Sequence, residues 1–154
     1  MTIIAGGSPT FPIHAEREDI QCSPGTFILW DWGYGKILKE QPFESAALVF
    51  TRVLSKVSTD KICLDLGHKS IASENPFPRV HFLNQEGSQQ VGHSEEHLVL
   101  DVGDNSSYTV GDVFYGIPKH VCPTVALYDE AHLVEKNIVV EKVNITSRKR
   151  RITI

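Results

Sequence analysis

Residues 46–57, Ala-Ala-Leu-Val-Phe-Thr-Arg-Val-Leu-Ser-Lys-Val, decide the fold class. They mix β-branched and apolar residues with polar ones, the pattern of a strand in a half-buried sheet. Residues 26–31, 61–66, 79–83, 96–102, 112–117 and 138–146 read the same way. Turn formers punctuate them at Asn75-Pro76, Gly103-Asp104-Asn105 and Gly116. Such strands with weak helical signal predict a mainly β domain, a barrel or sandwich with few short helices. One short helix is expected through Pro42–Ala47 and another after Gly67.

The chain has 154 residues, enough for one domain with a core. Its hydrophobic content of 41% against 22% charged predicts an ordinary globular interior and not disorder. A net charge of −4 argues against a nucleic-acid partner. The basic run Arg148, Lys149, Arg150, Arg151 reads as the solvated end of a last strand. No apolar run approaches the roughly 20 residues that span a bilayer, so no membrane partner is expected. No secretory signal opens the sequence. Cysteines at 22, 63 and 122 form an odd, sparse set, which predicts free thiols and a cytoplasmic location.

Met1–Ala5 reads as a short buried strand running into Gly6-Gly7-Ser8-Pro9-Thr10. In an α/β barrel, a strand ending in glycines can cradle a phosphate, because bare backbone N–H groups close on the anion and hydroxyls add donors. By itself this run is more often only a turn. A barrel strand here resembles the last strand of such a barrel and needs neighbours from elsewhere.

The strongest local chemistry lies in Pro118-Lys119-His120-Val121-Cys122-Pro123-Thr124. Pro123 biases Cys122 towards extended backbone, where residues two apart share a face. The His120 imidazole and Cys122 sulfur then converge on one ion, and a thiolate ligand favours zinc over magnesium or calcium. Two protein ligands leave positions open for water or substrate. Spacing alone also fits a buried cysteine beside a hydrogen-bonded histidine. In Ser94-Glu95-Glu96-His97, a strand would put Glu95 and His97 on one face, where one could bond a metal-bound water or orient a ligand histidine; the bland alternative is a polar edge strand. Asp65-Leu66-Gly67-His68-Lys69 reads as a helix start with solvated charges.

In order, Gly6-Gly7-Ser8-Pro9-Thr10, Pro24-Gly25-Thr26-Phe27, Asp65–Lys69, Ser94–His97, Gly111-Asp112 and Pro118–Thr124 form a more specific pattern. From Ile3 to about Arg148 the chain resembles the C-terminal part of the D-threonine aldolase and D-serine dehydratase family. These are alanine-racemase-like pyridoxal-phosphate enzymes of fold type III. The resemblance implies that residues 1–20 end a cofactor barrel, with Gly6, Gly7, Ser8 and Thr10 at the cofactor phosphate, and that 21–154 form a metal-binding β domain. It implies His120 and Cys122 as ligands of zinc or manganese; Glu95 or His97 would stand behind them at most. The family's Schiff-base lysine lies early in the barrel; Lys69 does not match it, so no catalytic residue is expected in this chain. Pyridoxal phosphate is therefore expected only with a barrel domain or chain as partner, with a small D-amino acid as substrate and a homodimer as the assembly. His-x-Cys is the dehydratase form, whereas Cys63–Glu74 looks more like the aldolase branch. Retro-aldol cleavage and D-serine dehydration both stay open, as does an inactive stand-alone remnant or binding module.

Overall fold

The computed structural model describes residues 1–149. Its first strand, β1 (Ile3–Gly6), pairs in parallel with β2 (Ile20–Ser23), and the short helix α1 (Phe11–Ala15) connects them. The pair thus straddles the expected boundary at residue 20. β1 is not buried as expected: Ile3 and Ile4 are exposed, because within the described residues only β2 flanks the strand.

The segment 26–31 is not a strand. After Pro24-Gly25 it forms a 3-10 turn, Thr26–Ile28, and Trp30 takes a left-handed backbone at φ 50°. Asp31 then caps α2 (Trp32–Ile37), accepting the Tyr34 N–H at 2.8 Å. A side-chain cap outweighs weak β propensity here. The helix expected over Pro42–Ala47 does not form; the Ala46 N–H donates to the Leu29 carbonyl instead of a neighbour four residues back.

The quoted stretch becomes β3 (Val49–Lys56). Val49, Thr51 and Val53 point into the core, while Phe50, Arg52 and Leu54 face out. β4 (Lys61–Leu64), β5 (Val80–Phe82), β6 (Gln89–His93), β7 (Leu98–Asp101) and β8 (Val113–Pro118) complete an antiparallel sheet in the order β5-β8-β3-β4-β7-β6. The sheet curls as a half-barrel around Val53, Ile62, Leu64, Leu98, Leu100 and Phe114. A glutamine side chain links its edges. Gln90 on β6 accepts the Arg79 N–H at 2.7 Å and donates to the Val80 carbonyl at 2.7 Å, at the start of β5. An amide can do both because it carries a donor and an acceptor. The mainly β expectation holds, with a curled sheet and few short helices.

Gly67 starts a single turn, not a helix: Ser70 and Ile71 donate to its carbonyl, and the Ala72 N–H already leaves for Thr124. A Cβ at Gly67 would fall 2.2 Å from the Glu95 carbonyl oxygen, so only glycine lets these two backbones touch. After β8 comes α3 (Val121–Val125), then a hairpin of β9 (Glu130–Glu135) and β10 (Ile138–Asn144) turning on Lys136 and Asn137 at positive φ. Its Leu133, Val134, Ile138, Val139 and Val140 are exposed. Arg148 and Lys149 close a 3-10 turn beyond β10, and Arg150 and Arg151 lie outside the described residues. Among the described residues no helix is long and apolar enough to cross a membrane.

Ile62 is fully buried and Val139 is 59% exposed. Ile62→Ala is expected to cost about 2–5 kcal/mol in urea unfolding, and Val139→Ala less than about 0.5 kcal/mol.

Candidate metal centre

β8 delivers Lys119 and His120 to the end of the sheet, where α3 begins. The extended His120–Cys122 segment expected from Pro123 does not form. His120 is extended, at φ −135° and ψ 103°, but Cys122 already lies in the first turn of α3. Pro123 is tolerated there because the first-turn N–H groups have no helical acceptor anyway. What starts the helix is distant in sequence: the buried Asp31 carboxylate accepts the Val121 N–H at 3.1 Å with one oxygen and the Tyr34 N–H with the other. The Gly33 N–H donates to the Lys119 carbonyl at 3.1 Å. A Cβ on Gly33 would come 2.4 Å from that oxygen, which requires glycine.

Thr124 is buried and its hydroxyl works twice. It donates to the His120 carbonyl at 2.7 Å and accepts the Ala72 N–H at 3.1 Å. That second bond carries the 72–76 loop to α3. At its end, Glu74 Oε1 lies 2.5 Å from His120 Nδ1. Burial alone would raise the Glu74 carboxyl; its own backbone N–H, the His120 ring and Asn75 outweigh that and hold it below its ordinary value. An ionised Glu74 accepts the Nδ1 proton, which leaves Nε2 as the lone-pair nitrogen. Among the described residues Nε2 has no hydrogen-bond partner. Cys122 is an exposed free thiol, 3.2 Å from the Thr26 hydroxyl, and lines a small apolar cleft with Gly25, Leu29 and Val125.

This donor set suits a borderline metal: an imidazole oriented by a carboxylate, and an accessible thiol. Among the described residues no group of three or more His, Cys, Asp or Glu side chains is gathered around one point. A two-ligand site with open positions does not need one.

The expected outer residues make other contacts. Ser94–His97 is a turn, not a strand. Glu95 and Glu96 both pair with Lys69, at 3.1 and 2.6 Å, and His97 is exposed with its carbonyl accepting the Ser94 N–H. Glu74 is the residue that meets His120. No periodicity marks it, and its only sequence signal is an acid beside the Asn75-Pro76 turn. Asp31 was more legible, as an acid three residues before an unpaired N–H at a helix start.

At the other end, Gly7 has φ 93° and Ser8–Thr10 is a 3-10 turn. The Thr10 hydroxyl donates back to the Gly6 and Gly7 carbonyls, 3.3 Å each. Gln41 Nε2 holds the Ser8 carbonyl at 2.9 Å, while the buried Ser8 hydroxyl has no partner within the described residues.

Two outcomes are expected from these contacts. Asp31→Ala strands two buried helix-start N–H groups and should lower unfolding stability by about 2–3 kcal/mol. The second concerns His93 on β6. Burial first, then the charges of Arg79 and His68, against a bond to the Leu66 carbonyl, lower its imidazole from 6.5 to about 4. The unfolded chain therefore takes up this proton first. Stability from this group is complete above pH 6.5 and is lost as pH falls through 4. The urea midpoint should drop across that window and drop less in His93→Gln; an unchanged slope in the variant contradicts the assignment.

Comparison with known proteins follows the same lines. The family described as "putative serine dehydratase domain" matches residues 46–134. The chain is 27% identical over 151 residues to a D-threonine aldolase from Arthrobacter sp, covering 96% of this chain and 39% of that protein. Its fold is similar to that of the D-threonine aldolase from Filomicrobium marinum, with TM-score 0.80 and 23% identity, over 96% of this chain and 41% of the other. The D-threo-3-hydroxyaspartate dehydratase from Delftia sp. HT23 is similar at TM-score 0.69 and 17% identity, over 92% of this chain and 43% of the other. The chain thus spans about two fifths of the length of these relatives. It belongs to the putative serine dehydratase domain family.

Proposed function

We propose that this chain is the metal-carrying β domain of a pyridoxal-phosphate-dependent lyase acting on small D-3-hydroxy amino acids, with His120 and Cys122 as the metal ligands. The observation that carries this is the Glu74–His120 bond, which leaves Nε2 as the free nitrogen two residues from an exposed thiol. Thiolate and imidazole together favour zinc over manganese. Bound there, the ion supplies Lewis acidity towards a substrate hydroxyl, and the pyridoxal ring of a barrel domain supplies the electron sink.

The chain's own residues position and exclude. Glu74 fixes the ring and tautomer of His120. The Thr26 hydroxyl lies within hydrogen-bonding distance of the Cys122 sulfur and can steady it as a thiolate. Asp31 and Thr124 set the backbone that carries both. The exposed β1–β2 pair fits as the last part of a barrel completed by other residues, since a two-stranded parallel sheet cannot bury its own faces. In that setting Gly6, Gly7, Ser8 and Thr10 lie at the cofactor phosphate.

Dehydration and aldol cleavage each have support. Mutants of a D-threo-3-hydroxyaspartate dehydratase, one of them described as metal-free, alter a histidine and a cysteine two positions apart, the spacing of His120 and Cys122. The relatives that cover most of this chain, on the other hand, include D-threonine aldolases. We favour dehydration on the ligand pair.

Zinc content after dialysis tests the assignment. The wild-type chain is expected to retain about one zinc, as a two-ligand site with open positions allows, and His120→Ala and Cys122→Ala to retain none. Wild-type stoichiometry in both variants would overturn it. Glu74→Gln should keep the metal but bind it about 10–100-fold more weakly.

A further inference from the structure

Arg79, just ahead of β5, is surrounded by neutral groups. Its Nε donates to the Asn75 carbonyl at 3.1 Å, and Nη1 faces ring nitrogens of both His68 (Nε2, 3.3 Å) and His93 (Nδ1). The guanidinium lies 4.8 Å from the centre of the Phe77 ring. His93 spends its Nε2 on the Leu66 carbonyl at 2.9 Å, so its Nδ1 is the acceptor nitrogen. The two imidazoles meet edge to face at 4.4 Å. Among the described residues Arg79 forms no ion pair, although the chain carries 19 acidic residues against 15 lysines and arginines. Nη2 makes no hydrogen bond within the described residues. Among the described residues the half-buried guanidinium pairs with no carboxylate and has a donor to spare.

Its place matters as much as its charge. Three consecutive residues of one loop are gripped by three side chains: Glu74 by His120, the Asn75 carbonyl by Arg79, and the Pro76 carbonyl by Lys119 at 2.9 Å. Lys119 likewise forms no ion pair among the described residues. The Lys119 N–H is bonded to the Arg79 carbonyl at 2.8 Å, so the two cations belong to one backbone junction beside His120. Two cations without ion pairs among the described residues thus hold the loop whose Glu74 carboxylate bonds His120.

We propose that Arg79 is a specificity-determining residue that binds the second carboxylate of a dicarboxylic D-3-hydroxy amino acid while its hydroxyl faces His120 and Cys122, with Lys119 adding to the field. This deepens the reading of the site given above and rests on it. A methyl group or hydrogen at the substrate's β-carbon offers Arg79 nothing, whereas a carboxylate makes a charge-assisted hydrogen bond to Nη2. His68 and His93 hold the guanidinium without competing for the anion, because neither carries a negative charge.

The test uses the full protein, with and without zinc, and follows the histidine ring protons by NMR during titration with succinate, with neutral succinamide as the comparison. His68 and His93 are expected to shift saturably with succinate and not with succinamide, while His14 and His132 stay still. Arg79→Gln should weaken succinate about tenfold or more, and Arg79→Lys, which keeps charge but loses the planar fork, should fall between. Equal shifts with succinamide, or succinate binding unchanged in Arg79→Gln, overturn the proposal. Should Arg79→Gln not fold, the wild-type titration decides alone, and absence of saturable His68 and His93 shifts is the overturning result. With zinc loaded, D-malate, which has a hydroxyl between its carboxylates, should bind more tightly than succinate, and this gain should vanish in His120→Ala. Failure of zinc to load removes the metal reading yet leaves Arg79-dependent succinate binding as evidence for the anion site; normal zinc loading with no succinate response removes only the Arg79 assignment.

Discussion

The carboxylate of Asp31 sits at 2% exposure and accepts two backbone N–H groups, one at the start of α2 and one at the start of α3. Helix starts present unpaired donors and a positive dipole end, so one buried anion satisfies both. The consequence is geometric. α3 must begin at Val121, His120 must stay extended outside it, and Cys122 must turn with its first loop of helix. The N-terminal third of the chain is thereby fastened to the end of β8, which brings Thr26 against the Cys122 sulfur. Gly33 completes the joint, since any side chain there would strike the Lys119 carbonyl.

A second buried group extends this joint into the sheet. Thr124 ties the His120 carbonyl to the Ala72 N–H, so the loop with Glu74 follows the helix start at which the candidate ligands lie. The same loop is closed from the other side by Gln90, which joins the two edges of the curled sheet through Arg79 and Val80. Site and barrel closure are therefore mechanically one structure. Substitutions that loosen the edge contact reach the site through the 74–79 loop, a short path of packed and hydrogen-bonded groups.

The apolar surface is distributed unevenly around this core. β1 and the β9–β10 hairpin expose Ile3, Ile4, Leu133, Val134, Ile138 and Val139, whereas the six-stranded sheet buries its inner face completely at Ile62, Leu64, Leu98 and Leu100. Two-stranded sheets have no second layer of their own to cover an apolar face. The Ser8 hydroxyl, His14 Nδ1 and the Gln41 carbonyl oxygen are buried without partners in the described residues.

By itself the sequence determined the elements whose signal is local. The alternation in 46–57 became β3, with Val49, Thr51 and Val53 inward, because period two maps directly onto the faces of a strand. The strands at 61–64, 80–82, 98–101, 113–118 and 138–144 were legible for the same reason. The family was legible from ordered motifs. Tertiary structure decided what depends on distant partners. Residues 26–31 gave up a strand to cap a helix, because Asp31 meets Val121 ninety positions away. The His120–Cys122 segment became a helix start for that same bond, against the extended bias of Pro123. Glu74 displaced Glu95 and His97 beside His120 because Thr124 draws its loop inward while Lys69 holds both glutamates of the 94–97 turn. Periodicity records which face a residue shows, and only the folded chain records which carboxylate arrives there.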